Sequence, residues 1–502
     1  MKSFFWRFCL AAVCWLGIAS AAAAQDELSE PLAEPDELMQ RIEDLEQQVR
    51  RLSAAPRFSE AGAEEPLSDN TSILPASSYA PGDPATPAPA KPSSPVPPPI
   101  KYPTVQINGF FQADAVFFNQ DDTSRETVGD IQDGAGFRRT RLSAKGQVAE
   151  NIAYIIQMDF GFFGRPTFTD VYTDIQQVPL LGNVRIGQWK QPFSLEVATS
   201  VRYQPFMERS LLFQSFAPFR HIGIGFYDWS EDQRTTWSAS VFRTGNDQYG
   251  DDTGDDGGFS TAGRATHLLW YDQAYGETVT NEGLDYLHLG GAYWFGDPSK
   301  NVFRYATIPE MFVGEFSVPG GTIPGNSKVQ VPTIAIGTPP FVDTGIFATS
   351  NFTHLGTELL WVRGPFSIQS EAQVAMVNRI GAGQVVFPGA YAEMTYFLTG
   401  ESRPYDRKAG ALDRVVPKCA FLTKNGEVQG MGAWEFAMRA SYVKLTDKDI
   451  QGGRLFDLTC GLNWYMTGNA KIQLNYVRAF LDAPAVGKSG TDIFGMRCQV
   501  DF

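Results

Sequence analysis

Arg139, Arg141 and Lys145 fall on one parity of the segment Phe137-Arg138-Arg139-Thr140-Arg141-Leu142-Ser143-Ala144-Lys145. In an extended chain, residues of one parity share a face, so these three cations form a single stripe. Arginine keeps its charge at physiological pH and presents a planar fork of donors that fits an oxyanion two oxygens at a time. Arg185 and Lys190 make a second group, Arg185 lying opposite in parity to Val184 and Ile186. Arg202, Arg209 and Arg220 follow in residues 194–220, a stretch too long for a tight hairpin. The chemistry on offer is the capture and passage of small anions. The short signatures of bond-breaking sites are missing: the sequence holds no G-x-S-x-G elbow and no H-E-x-x-H helix. Its four histidines, at 221, 267, 288 and 354, show no metal-ligand spacing. Asp251, Asp252, Asp255 and Asp256 lack the spaced ligands of a calcium loop and read as a solvated acidic loop. No cofactor is expected.

The elements that must position these cations show in the patterning. In Thr491 to Phe502 the apolar set Phe494, Met496, Cys498, Val500 and Phe502 alternates with Gly495, Arg497, Gln499 and Asp501. Phe456 to Met466 and Trp434 to Tyr442 repeat the pattern, as do Val105 to Phe117 and Ile152 to Phe160. Strands of a soluble sandwich are usually near five or six residues, whereas a tilted strand needs about nine to eleven to cross a bilayer. An all-β, transmembrane antiparallel barrel of about 16 strands is expected over residues 104–502, closed first strand to last because lipid tolerates no open edge. If Leu142, Ala144, Gly146 and Val148 face lipid, then Arg139, Arg141, Ser143, Lys145 and Gln147 face a water-filled lumen. A charge facing lipid at mid-depth costs roughly 2 to 4 kcal/mol. Residues 245–263, crowded with Asp and Gly, and 296–353 read as long loops. Cys460 and Cys498 share the apolar parity and read as small hydrophobes against lipid.

A composition of 19% charged and 13% aromatic residues fits such a barrel, and a mean hydropathy of −0.20 is too polar for a helical membrane protein. Residues 1–24 carry Lys2 and Arg7, an apolar run and Ala22-Ala23-Ala24, the pattern of a secretory signal peptide. Within residues 25–55, Leu38, Ile42, Leu45, Val49 and Leu52 trace a two-heptad coiled-coil seam. Two heptads are marginal alone, so the segment is expected to be helical where several copies meet. Residues 56–103, rich in Pro, Ala and Ser, read as an extended spacer in the periplasm.

Several segments resemble the phosphate-selective porin O and P family of Gram-negative outer membranes. Phe137-Arg138-Arg139-Thr140-Arg141-Leu142 is similar to the family's paired-arginine strand, and Gly187 to Glu196 to its G-x-x-x-x-P-F-x-L-E motif, with Met207-Glu208-Arg209 beyond. Leu398 to Arg403, Gly432 to Glu435, Gly461 to Tyr465 and Arg497 to Phe502 continue the series. The resemblance implies a homotrimer of about sixteen-stranded barrels, with residues 194–220 folded inward as a constriction. It also implies that the barrel-assembly machinery recognises the terminal Phe502. The expected role is passive uptake of small anions, phosphate among them, with outer-membrane lipid as surroundings and no nucleic-acid partner. From Lys101 onward 34 Lys and Arg face 42 Asp and Glu, a net of −8, so selection must come from local charge at a narrow point. A general diffusion pore and a barrel-anchored envelope tether are the alternatives.

Overall fold

The computed structural model describes residues 101–161, 166–245, 254–273, 283–314, 322–323, 326–330, 337–424, 427–484 and 487–502. The signal peptide, the coiled coil and nearly all of the spacer lie outside the described residues, as do Asp251 and Asp252.

Sixteen long strands form one closed antiparallel barrel. The first nine are β1 (Gln106–Gln120), β2 (Gly134–Ala149), β3 (Ile152–Asp159), β4 (Thr167–Val178), β5 (Gly182–Lys190), β6 (Arg220–Trp229), β7 (Thr235–Arg243), β8 (Phe259–Gln273) and β9 (Leu284–Gly296). After a long loop come β10 (Phe347–Arg363), β11 (Phe366–Arg379), β12 (Val385–Phe397), β13 (Ala433–Asp447), β14 (Ile450–Tyr465), β15 (Ala470–Ala483) and β16 (Gly487–Asp501). The two loops expected from composition are shorter than expected, because β8 already begins at Phe259 and β10 at Phe347.

Closure pairs β1 with β16, from Phe110 opposite Asp501 to Gln120 opposite Thr491. Beyond that ladder Gly109 N–H donates to Phe502 O at 3.0 Å and Phe502 N–H donates to Gly109 O at 2.9 Å. A Cβ on Gly109 would stand 2.6 Å from Phe502 Cζ, so the glycine leaves the space that the terminal ring occupies. Overpacking at such a site costs typically 1–3 kcal/mol. Gly109→Val should therefore lower the urea midpoint of the detergent-folded barrel, and an unchanged midpoint would show that the ring simply moves aside.

The period-two pattern sorts the two faces. On β2, Leu142 and Val148 are 45% and 50% exposed toward lipid, whereas Arg139 and Ser143 are buried inside. The start of β1 and the end of β16 lie at one end of the barrel, here called proximal, because the number of strands is even. Three segments fold into the lumen. From the distal end come residues 191–219, with helices α2 (Leu195–Ala198) and α3 (Leu211–Phe216), and described residues of 297–346 such as Tyr305, Glu310 and Met311. From the proximal end come described residues of 398–432 such as Arg403, Tyr405 and Leu412. Helix α1 (Asp122–Val128) lies in the first distal loop.

Candidate functional site

Strand parity does not by itself account for the paired arginines. Gln112 pairs with Arg139 and Ala113 with Phe137, so Arg138 is an extra residue bulged out of β2. A bulge resets parity and re-aims side chains. Phe137 and Leu142 can consequently both face outward, and consecutive arginines can both face in. Arg138 Nε donates to Glu208 Oε1 at 2.9 Å, and Arg139 Nη2 to Glu208 Oε2 at 3.1 Å. Arg497 of β16 joins them, donating to Glu208 Oε1 at 2.7 Å and to both Asp114 oxygens at 2.7 and 2.6 Å. Three guanidinium groups thus converge on one carboxylate carried by the inward loop.

The other sequence-derived candidates spread around this centre. Arg141 donates to Asp159 at 2.7 Å and lies 5.5 Å from the Phe110 ring. Arg220 holds Asp170 through two bonds of 3.0 and 2.9 Å. Arg202 pairs with Asp501 at 3.5 Å. Arg185 binds both oxygens of Asp174 at 2.7 and 2.6 Å and lies over the rings of Tyr172 and Tyr227. Lys145 sits apart, exposed, beside the proximal turn of β2 in a groove of about 350 Å³ that it shares with Tyr172 and Asp174. Lys190 and Arg209 differ from the rest. Lys190 Nζ donates to the carbonyls of Val197, Ala198 and Thr199, closing the C-terminal end of α2. Arg209 donates to the carbonyls of Glu196 and Thr199 at 2.8 and 3.0 Å. Neither forms an ion pair with a carboxylate among the described residues, although Asp170 acts electrostatically on Lys190, and Glu196 and Glu208 act on Arg209. Arg141 and Arg220 both act electrostatically on each of them, which makes the group one field rather than separate points.

The inward loop owes its shape to the residues of its motif. Glu196 accepts from the N–H and hydroxyl of Ser210, both at 2.7 Å, tying the start of α2 to the start of α3. Phe193, Leu195, Phe206, Leu211, Leu212 and Phe216 are fully buried against the wall, each such burial contributing roughly 1.5–3 kcal/mol. Arg439 of β13 is the hub beneath. It binds Glu310 of the 297–346 loop at 2.8 Å, Glu196 at 3.4 Å and the Glu208 carbonyl at 3.0 Å, with Glu393 of β12 at 3.7 Å.

The proximal loop meets the distal one. Leu412 N–H donates to Thr199 Oγ1 at 3.2 Å, and Arg414 reaches Tyr203 as well as Asp501. Arg264 of β8, paired with Glu358 of β10, donates to the Gly410 carbonyl at 2.7 Å, and His288 bonds Tyr405 at 2.6 Å. Between these loops a cavity of about 370 Å³ is lined by Asp170, Arg185, Lys190, Tyr227, Arg264 and Lys408, among others. Sequence reasoning did not single out Arg439, Asp114 or the proximal loop, and it named Arg138 only through the resemblance to the family's paired-arginine strand.

A closed, sixteen-stranded barrel with a polar lumen narrowed by inward loops defines an outer-membrane porin. The profile of the phosphate-selective porin O and P family matches residues 105–502, and the chain belongs to that family, whose members are outer-membrane anion channels. It is similar to Porin O of Pseudomonas aeruginosa, 24% identical over 411 residues that cover 75% of this chain and 83% of that one. Among solved structures it resembles OmpT of Vibrio cholerae in its trimer form, with TM-score 0.46 and 10% identity over 80% of this chain and 99% of that one. It also resembles an anion-selective porin from Comamonas acidovorans, with TM-score 0.44 and 13% identity over 80% and 99%.

Proposed function

We propose that anions are selected where loop 191–219 faces β1 to β6, by the field of Arg138, Arg139, Arg141, Arg202, Arg220 and Arg497 topped up by Lys190 and Arg209. The observation that carries this reading is the pairing pattern: the other cations of the group are ion-paired with carboxylates, whereas Lys190 and Arg209 hydrogen-bond only to carbonyls. A carbonyl does not cancel a charge, so the eight cations named here outnumber the carboxylates they pair with, Glu208, Asp114, Asp159, Asp170 and Asp501, although the whole barrel is net acidic and Arg439 of β13 faces Glu196, Glu310 and Glu393. Fixed cations in a narrow, low-dielectric wall lower the entry barrier for anions and raise it for cations. Arg185 and Lys145 extend the positive surface toward the proximal mouth, which faces the periplasm in this reading.

Planar-bilayer recording across a KCl gradient should give a reversal potential close to the chloride equilibrium value. A shift toward potassium would sink the proposal. Adding phosphate should depress the chloride current if phosphate shares the site, and an unaffected current would restrict the channel to smaller anions. The heptads of residues 38–52 and the apolar outer wall support a homotrimer with its N-terminal segment in the periplasm and Phe502 as an assembly signal. Light scattering on the same sample should then report three chains per particle, and one chain would refute it.

A further inference from the structure

Four glycines on the lumen side of the wall, on the alternate strands β10, β12, β14 and β16, lie under large side chains from the inward loops. A Cβ on Gly356 of β10 would stand 3.3 Å from Phe193 Cζ. On Gly389 of β12 it would stand 2.9 Å from Phe216 Cε2 and 3.2 Å from Leu212 Cδ1. On Gly461 of β14 it would stand 3.4 Å from Phe206 Cδ1. On Gly495 of β16 it would stand 3.2 Å from Met207 Cε and closer still to Met311 Sδ. None of the four has a positive φ, so backbone conformation does not require glycine there. A glycine inside a strand weakens it, and commonly marks a place where another group approaches closely. Here the approaching groups are Phe193, Phe206, Met207, Leu212 and Phe216, all from 191–219, with Met311 from 297–346.

We infer that Gly356, Gly389, Gly461 and Gly495 are positioning residues for the pore: four sockets whose depth sets how far loop 191–219 withdraws from the lumen axis. The loop is fixed at successive points along its length, by Phe193 before α2, by Phe206 and Met207 between the helices, and by Leu212 and Phe216 within α3. Filling a socket pushes its knob inward and shifts the Glu196 to Arg209 segment that carries the selecting charges. Emptying a socket by truncating the knob frees the same segment. The inference depends on the loop setting the pore width, and not on which cations select, so the two readings fail separately.

The experiment compares Gly461→Val, Phe206→Ala and the double variant with wild type, using Gly291→Val as control because a Cβ there meets nothing nearer than 3.8 Å. Gly461→Val should reduce single-channel conductance by about twofold or more, and Phe206→Ala should raise it and add current noise, since pore dimensions at the narrowest point govern flux. The double variant should return toward wild type, which a merely structural defect would not do. Truncating this buried ring leaves a cavity and costs stability, so Phe206→Ala is recorded on material shown to be folded, and wild-type conductance in it would overturn the sockets. Equal loss in Gly291→Val and Gly461→Val would do so too. A changed conductance with an unchanged reversal potential would support the sockets while detaching them from selectivity.

Discussion

Arg139 and Arg141 replaced together by alanine should lower the anion-to-cation permeability ratio about tenfold, read as a shift of reversal potential toward the potassium value. At an effective dielectric near 20, one unit charge about 8 Å from a permeating ion is worth roughly 2 kcal/mol before salt screening. Two such charges leave the constriction, and tenfold needs only about 1.4 kcal/mol. The partners they leave behind strengthen the effect. Asp159 loses the arginine that bonds it at 2.7 Å and keeps its N–H donors Thr140 and Gly161, each at 3.0 Å, so its charge turns toward the lumen. Glu208 retains Arg138 and Arg497 and stays neutralised. Glu208→Gln supplies the opposite sign: the three arginines keep their places with one negative charge fewer, and anion preference should rise. An unchanged ratio in the double alanine variant would place the selecting charge elsewhere in the barrel.

Arg439→Met should be the most destabilising single substitution at the constriction. Removing one partner of a buried ion pair costs about 3–5 kcal/mol, because an uncompensated charge stays behind. Here Glu196, Glu310 and Glu393 all face the one guanidinium, and all are buried. These carboxylates belong to two inward loops and the wall, so repulsion among them pushes the loops off their seat. The expected result is a lower urea midpoint for the detergent-folded barrel together with unsteady conductance. Adding Glu310→Gln and Glu393→Gln should recover part of the lost midpoint. If the triple variant is no better than Arg439→Met, the loss comes from the guanidinium's contact with the Phe206 ring, 4.3 Å away, rather than from charge.

The barrel was legible in the sequence because lipid and water impose a period of two on every crossing strand. The apolar sets of β14 and β16 face outward as parity requires, with Leu458, Phe494 and Met496 all exposed. Parity assumes an unbroken strand, however, and this is why Arg138 escaped it: an unbroken count points Arg138 into lipid, while the bulge turns it to Glu208. Cations show in a sequence, but their partners do not. Asp170 lies 50 positions from Arg220 and Asp114 lies 383 from Arg497, distances that only the strand register closes. The proximal loop was hidden for a related reason. Its seat depends on side chains such as Tyr286, His288 and Arg264, whose contacts with residues 403–410 leave no periodic trace. His288 and His354, unremarkable by spacing, are buried and hydrogen-bonded in the seats of the two kinds of loop.

The glycine sockets also impose an order of assembly. The knobs belong to residues 193–216, with Met311 joining Met207 over the last socket, whereas every socket belongs to a strand translated later, the last of them on β16. The inward loop therefore has no complete seat until the final strand arrives. The same strand brings Arg497 to Asp114 and Glu208 and pairs along β1. Sealing of the wall and completion of the loop's seat thus depend on the same strand, and a chain that ends before β16 would hold both a free edge and an incompletely seated loop.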